Sequence, residues 1–260
     1  MPGPGHYLSA TLAQPAPAFG PGFWDGPPSR LGCAAIWLVQ TGVLAAIYLR
    51  VNAATSGHSV ATPLLPLESR IPLIAAAFPV YASLYLDLGL LIVLLRTWRA
   101  FVRMQTACLL ACLVACLVYV LFPMSYPRPQ LAEHGVAQGW LVAYWEGDGP
   151  ACTFPSLHVT LAWLIAFSLG ARSQRWRVAW WLNALAISVS TLLVKQHYLV
   201  DVAGGIVLAV ASWRAAPGLI AWCEQRWTGP TACMTPGGPS ESRSDGASAL
   251  QSTRRRRWPA

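Results

Sequence analysis

In a chain of 260 residues, 55% hydrophobic and 11% charged side chains, with a mean hydropathy of +0.46, exclude an ordinary soluble domain and point to a polytopic membrane protein. The formal net charge of +8 does not call for nucleic acid, because seventeen of the eighteen cations are Arg and many flank apolar runs, the distribution that sets orientation in a bilayer. The seven Cys do not form a disulfide framework, since Cys33, Cys108, Cys112, Cys116 and Cys223 fall within or at the ends of apolar segments. A metal on the Cys108, Cys112, Cys116 stripe is disfavoured, as structural sites need four ligands and no His accompanies these three.

Residues 1–29 hold twelve Gly or Pro and almost no charge, so they are read as a disordered leader without the basic start of a cleavable signal peptide. Leu31 to Leu49 is about the length that crosses a bilayer and is bracketed by Arg30 and Arg50. A polar loop follows, and Ile71 to Leu95 predicts a second span carrying Pro72, Pro79 and Asp87, a carboxylate for which a structural hydrogen bond or ion pair is expected. Arg96 to Arg103 forms a short basic loop before the third span, Met104 to Phe122. Residues 124–153 read as the longest interior loop, with Glu133, His134, Glu146 and Asp148 and no long apolar run. Pro155-Ser156 opens the fourth span, to about Leu169, with Ser156 as a natural N-cap beside His158. The fifth span is Val178 to Val194 and the sixth Tyr198 to Trp222, where Gly204 and Gly205 allow a neighbour close approach. Residues 228–260 read as a disordered cytoplasmic tail ending in Arg254 to Arg257.

The expected architecture is therefore all-α, six transmembrane helices within 30–227. Fourteen cations fall on the side of the termini and four, Arg50, Arg70, Arg128 and Lys195, on the other, which predicts cytoplasmic termini. Arg128, Ser156, His158, Lys195, His197 and Asp201 then all meet at the extracytoplasmic face. If the segment from His197 onward is helical, Asp201 lies four residues on and can orient one imidazole nitrogen, leaving the other to attack. Arg128 offers a planar fork for phosphate oxygens and the Ser156 helix start offers more donors. With His158 as general acid, the chemistry is phosphoryl transfer through a phosphohistidine, with no metal and no cofactor.

The runs Arg128-Pro129, Pro155-Ser156-Leu157-His158 and Ser190-Thr191-x5-His197-x3-Asp201 resemble, in order and spacing, the three motifs of the type 2 phosphatidic acid phosphatase superfamily across about residues 64–212. The resemblance implies that His197 is the nucleophile, Asp201 its partner, His158 the acid, and Arg128 and Ser156 phosphate ligands, acting on membrane lipids. Leu121 and Thr191 stand where the family pattern has Lys and Arg. The wording Phe-Pro-Ser-Leu-His with Lys-Gln-His-Tyr-x-x-Asp looks more like the branch that contains inositol phosphorylceramide synthase, which moves a head group between lipids. Lys195 is a candidate to restore one of the missing cations. A lipid phosphate phosphatase and a non-enzymatic transporter or scaffold remain as alternatives, and a metal site on His158, His197 and Asp201 is opposed by the neighbouring Arg128 and Lys195.

Overall fold

The computed structural model describes residues 25–61, 65–126, 128–129, 131, 135–149 and 151–228. The first 24 residues of the expected leader, His134 in the long loop, and the expected tail beyond residue 228 lie outside the described residues. The chain forms seven helices among these residues: α1 Arg30–Thr55, α2 Phe78–Leu94, α3 Trp98–Leu121, α4 Val136–Gly147, α5 Leu157–Gly170, α6 Gln174–Leu193 and α7 Leu199–Thr228.

Local sequence accounts for most of the boundaries. Ser29 caps α1 by accepting the Gly32 N–H, Thr97 caps α3 through Ala100, and Ser173 caps α6 through Trp176. The second span opens on a 3-10 turn at Ala75–Ala77 and becomes α-helical at Phe78, with Pro79 in the first turn, where its missing N–H costs nothing. Residues 25–29, expected within the leader, dock on the start of α3, where the Trp98 N–H donates to the Gly26 carbonyl at 3.3 Å.

Four of the described segments are long and apolar enough to cross a membrane: Arg30–His58, Ala75–Leu94, Trp98–Leu121 and Leu199–Arg226. The chain is an integral membrane protein. The other two expected spans differ from these. Helix α5 is apolar but has only 14 residues, and α6, of 20 residues, opens on Gln174, Arg175 and Arg177 and carries Asn183. These two helices pack along each other, with the Trp163 indole N–H donating to Ser188 Oγ at 3.2 Å.

The core runs along the inner face of α3, where Phe101, Met104, Ala107, Cys108, Ala111, Ala115, Cys116 and Tyr119 recur at helical spacing, packed chiefly against α1 and α5. Asp87 is buried in α2, and its partner is Asn183 of α6, whose Nδ2 donates at 2.7 Å. The expected structural hydrogen bond is there, made to an amide.

Two elements in the loops were not expected. Within residues 124–153 the chain folds α4, whose Leu141 and Trp145 pack on Tyr81, Ala75 and Val194. A short parallel pairing also joins Val60–Ala61 (β1) to Met124–Ser125 (β2), and it holds the start of the Arg128 segment beside the end of α1.

Candidate active site

The site is assembled where α7 begins. The α6–α7 connection turns sharply, with Lys195 at φ 55°, and the Thr191 carbonyl accepts both the Gln196 N–H at 3.0 Å and the His197 N–H at 3.3 Å. Helix α7 starts at Leu199, so His197 is not on its face but in the turn before it. Asp201, three residues into the approach, accepts the Tyr198 N–H at 2.8 Å, the reciprocal half of a capping box. Glu68, buried in the loop before α2, accepts the Leu199 N–H at 2.6 Å and adds a carboxylate at the positive end of the helix. Both contacts fix the turn. They leave the His197 ring with Nδ1 3.6 Å from Asp201 Oδ2, and Asp201 is fully buried.

The second segment locks onto the same helix end. At Gly204 an added Cβ would lie 2.5 Å from the Phe154 ring, and at Gly205 2.6 Å from the Ser156 carbonyl oxygen. Only glycine permits this approach. The Ser156 N–H donates to the Asp201 carbonyl at 3.1 Å, and Thr160 Oγ1 donates to the Gly205 carbonyl at 3.0 Å. Ser156 caps α5 as expected, its Oγ accepting the Val159 N–H at 3.3 Å. Its side chain is fully buried in that role, and the first-turn residues of α5 that line the cavity are Leu157 and His158, with Leu161 one turn further on. Their first-turn N–H groups have no carbonyl partner within the helix.

His158 is held on three sides. Its ring stacks on Tyr81 at 3.8 Å between centroids, meets Tyr85 edge-on at 5.8 Å, and sets Nε2 2.7 Å from the Tyr81 carbonyl. A carbonyl only accepts, so Nε2 carries the hydrogen and Nδ1 is the ring atom open to proton exchange.

Arg128 reaches the cavity from the loop after β2. One guanidinium nitrogen donates to the Trp145 carbonyl, and the other, at 3.3 Å each, to the Gly149 carbonyl and to Gln196 Oε1. Burial lowers its pKa from the usual arginine value, partly offset by Asp148. Lys195 is turned away: Nζ donates to the Ile71 carbonyl at 2.6 Å and the residue does not line the cavity. The expectation that it turns toward the phosphate cradle is corrected, because the left-handed backbone at 195 aims its side chain across to the loop before α2. Neither Leu121, which is 61% exposed at the end of α3, nor Thr191, which is buried with its hydroxyl on the Ser188 carbonyl, faces the cavity.

His197, His158 and Arg128 line one cavity of about 360 Å³ together with Cys152, the one cysteine that its place beside the histidine motif marks out, and with Asp148 and Gln196, which sequence reasoning did not assign to the site. Asp148 is half-buried there, accepting from Tyr48 Oη at 3.0 Å and Asn52 Nδ2 at 3.4 Å. Its pKa is raised by burial, against the opposing pull of the Tyr48 hydrogen bond, Arg128 and His197. Gln196 is buried, and its Nε2 finds no hydrogen-bond partner among the described residues. Cys152 is free and buried, Sγ 3.8 Å from Thr55 Oγ1, and burial pushes its thiol up to about 12, which removes it as a nucleophile. No cluster of three His, Cys, Asp or Glu side chains suited to a metal occurs among the described residues.

A helical membrane protein whose cavity joins two imidazoles, a guanidinium and unpaired amides is built for phosphoester chemistry at a bilayer. The family comparison gives the same class: the PAP2 superfamily model matches residues 58–215, more than half of the chain, and the chain belongs to that superfamily. Its members are phosphatases or phosphotransferases, so the chain is an enzyme of lipid phosphatase or phosphotransferase type. No curated protein and no solved structure matches the chain.

Proposed function

We propose that this enzyme transfers a phosphorylated head group between membrane lipids through a phosphohistidine on His197. The observation that carries the reading is that His197, backed by buried Asp201, shares one cavity with His158 and Arg128. With Nδ1 turned to Asp201, Nε2 of His197 is the attacking atom. It forms the P–N bond while the bond from phosphorus to the lipid alcohol breaks, and His158, which takes up a second proton at Nδ1 before this step while Nε2–H stays on the Tyr81 carbonyl, gives that Nδ1 proton to the leaving oxygen and is left neutral. In the second half the hydroxyl of an acceptor lipid attacks phosphorus, His158 recovers the proton, and His197 is released. Arg128, Gln196 Nε2 and the Leu157 and His158 amides hold the non-bridging oxygens. Ser156 acts on the phosphate by capping the helix that presents those amides.

Charge favours a phosphodiester donor. A phosphomonoester brings a charge near −2, whereas the cavity wall offers one guanidinium, and Asp148 stands in the same wall. A phosphodiester brings one negative charge, which this cradle matches without leaving a second one uncompensated in a partly dry site. With water as acceptor the same steps give a phosphatase, which the family membership equally allows.

Six crossings, with both termini cytoplasmic and the site extracytoplasmic, belong to the same proposal. The fourteen to four division of cations supports it. Helix α5 can be short because its first residues already sit at the cavity.

The test is purified enzyme on phosphatidic acid and on phosphatidylinositol, with and without a hydroxyl-bearing acceptor lipid. Head-group transfer from phosphatidylinositol and acid-labile label on His197 are expected, both lost in His197→Ala. Faster release of free phosphate from phosphatidic acid than any transfer would return the enzyme to the phosphatase class.

A further inference from the structure

The cavity does not end at the catalytic residues. Below His158 and His197 it continues between α1, α2 and α3 as an apolar slot walled by Leu44, Leu84, Leu88, Cys108, Cys112 and Cys116. The three cysteines form the i, i+4, i+8 stripe of α3, and each is less than one-tenth exposed. Helices α1 and α3 run side by side in the same direction, since Tyr48 meets Tyr119 at the upper end and Gln40 meets Gln105 at the lower. There Gln40 Nε2 donates to the Gln105 carbonyl at 3.0 Å, and Trp37 stands beside them, so the slot has a polar floor. From Gln105 to Tyr119, 14 positions on, α3 rises about 21 Å, more than the roughly 15 Å hydrocarbon depth of one leaflet. On one side the slot opens toward the bilayer, because its lining includes the exposed Thr41 and Ala45 of α1 and Tyr85 of α2, 53% exposed.

We propose that this slot holds one hydrocarbon chain of the lipid substrate, entering sideways between α1 and α2, and that α1 sets how long a chain is accepted. The proposal rests on the lipid-phosphate reading of the site above. Three observations point to a single chain. The slot is continuous with the phosphate-handling end, so a lipid whose phosphorus lies at His197 has its chains at the slot mouth. The walls are apolar and thiol side chains, which match methylenes and offer no charge. The floor is the hydrogen bond from the half-buried Gln40 side chain to the Gln105 main-chain carbonyl, which a longer chain would have to break. Helix α1 lies wholly outside the family-matched residues 58–215, yet it supplies one whole wall and half of the floor. Chain selection is thus carried by a helix outside the family-matched residues.

The experiment uses the full-length protein in nanodiscs with phosphatidylinositol that carries a diazirine at the end of one acyl chain. After irradiation, adducts are mapped by mass spectrometry, and turnover is compared for long-chain and short-chain lipids. Wild-type adducts are expected on Trp37, Gln40, Gln105 or Cys108. Cys112→Phe, which fills the slot halfway down, should remove them and lower the long-to-short turnover ratio about tenfold. Leu113→Phe, on the outward face of α3 at 47% exposure, should change neither. Adducts confined to outward-facing positions such as Leu109, Leu113 and Leu117, or an equal loss on both chain lengths in Cys112→Phe, would overturn the slot. Slot adducts in a protein that turns over no phospholipid would keep the slot and sink the lipid-phosphate reading instead.

Discussion

Gly205→Ala tests whether the contact between α5 and α7 is what aligns the two histidines. The added methyl would sit 2.6 Å from the Ser156 carbonyl oxygen and 3.1 Å from Val159 Cβ, where ordinary contact begins near 3.4 Å. The carbonyl cannot swing aside cheaply, because it accepts the Thr160 N–H at 3.0 Å and Thr160 Oγ1 at 2.8 Å. Nor can the segment slide, since the Ser156 N–H is donated to the Asp201 carbonyl. The relief left is for α5 to back away from α7 by most of an ångström, carrying His158 away from His197. Overpacking of this kind costs about 1–3 kcal/mol, and the better helix propensity of Ala returns about 1 kcal/mol. Net destabilisation should therefore be small, on the order of 1–2 kcal/mol or less. Activity should suffer far more, because a 1 Å misplacement of reacting groups costs roughly 10²-fold. The assay is thermal unfolding and turnover on the same detergent-purified samples. Gly89→Ala and Gly218→Ala, helical positions where a methyl meets nothing within 4 Å, are the controls and should hold or gain stability. Wild-type turnover in Gly205→Ala would refute the claim that this approach sets the catalytic alignment.

Asp201→Asn keeps the acceptor for the Tyr198 N–H but loses the charge behind His197, and turnover should fall about 10²- to 10⁴-fold with the helix start intact; circular dichroism and turnover measured together check it. Asp148→Asn should raise thermal stability at neutral pH. Burial raises the folded carboxyl pKa above its ordinary 3.8, so the native state loses stability as pH rises from that value through the folded pKa, and the variant's advantage should vanish below about 3.8. A variant less stable than wild type at pH 7 would mean that the pull of Arg128 outweighs burial. Turnover should also survive EDTA, because the cradle is made of a guanidinium and amides rather than magnesium-binding carboxylates; activity that EDTA removes and magnesium restores would contradict that cradle.

The helical plan was legible because a backbone in hydrocarbon must satisfy its own hydrogen bonds, so each crossing shows as one long apolar run between charges. Helix α4 was hidden by the same logic. Its twelve residues, interrupted by Gly139, are too short to register as a span, and its stability comes from Leu141 and Trp145 packing on Tyr81 and Val194, a contact between distant segments. The Gly204-Gly205 pair was read correctly as a point of close approach, since absence of a side chain is visible in sequence. What approaches was not: the neighbour is the Phe154–Ser156 loop as much as a helix.

His197 and Asp201 show how a spacing can be right for a different reason. Four residues suggest one helical face, yet α7 begins at Leu199, and the pair meets because Asp201 bends back to cap the Tyr198 N–H while Thr191 holds the turn from below. A motif of fixed spacing therefore encodes the turn and its caps as well as the meeting of the two side chains. Lys195 follows from the same geometry. Counting charges along the chain put it beside the phosphate, but at φ 55° in the middle of that turn its side chain leaves toward Ile71 while its neighbour Gln196 faces the cavity. The nearest cation in sequence thus serves as a latch, and the cavity wall is left with Arg128 opposed by Asp148. That balance depends on which side chains the fold buries together, so it could be read only once the cavity was in hand.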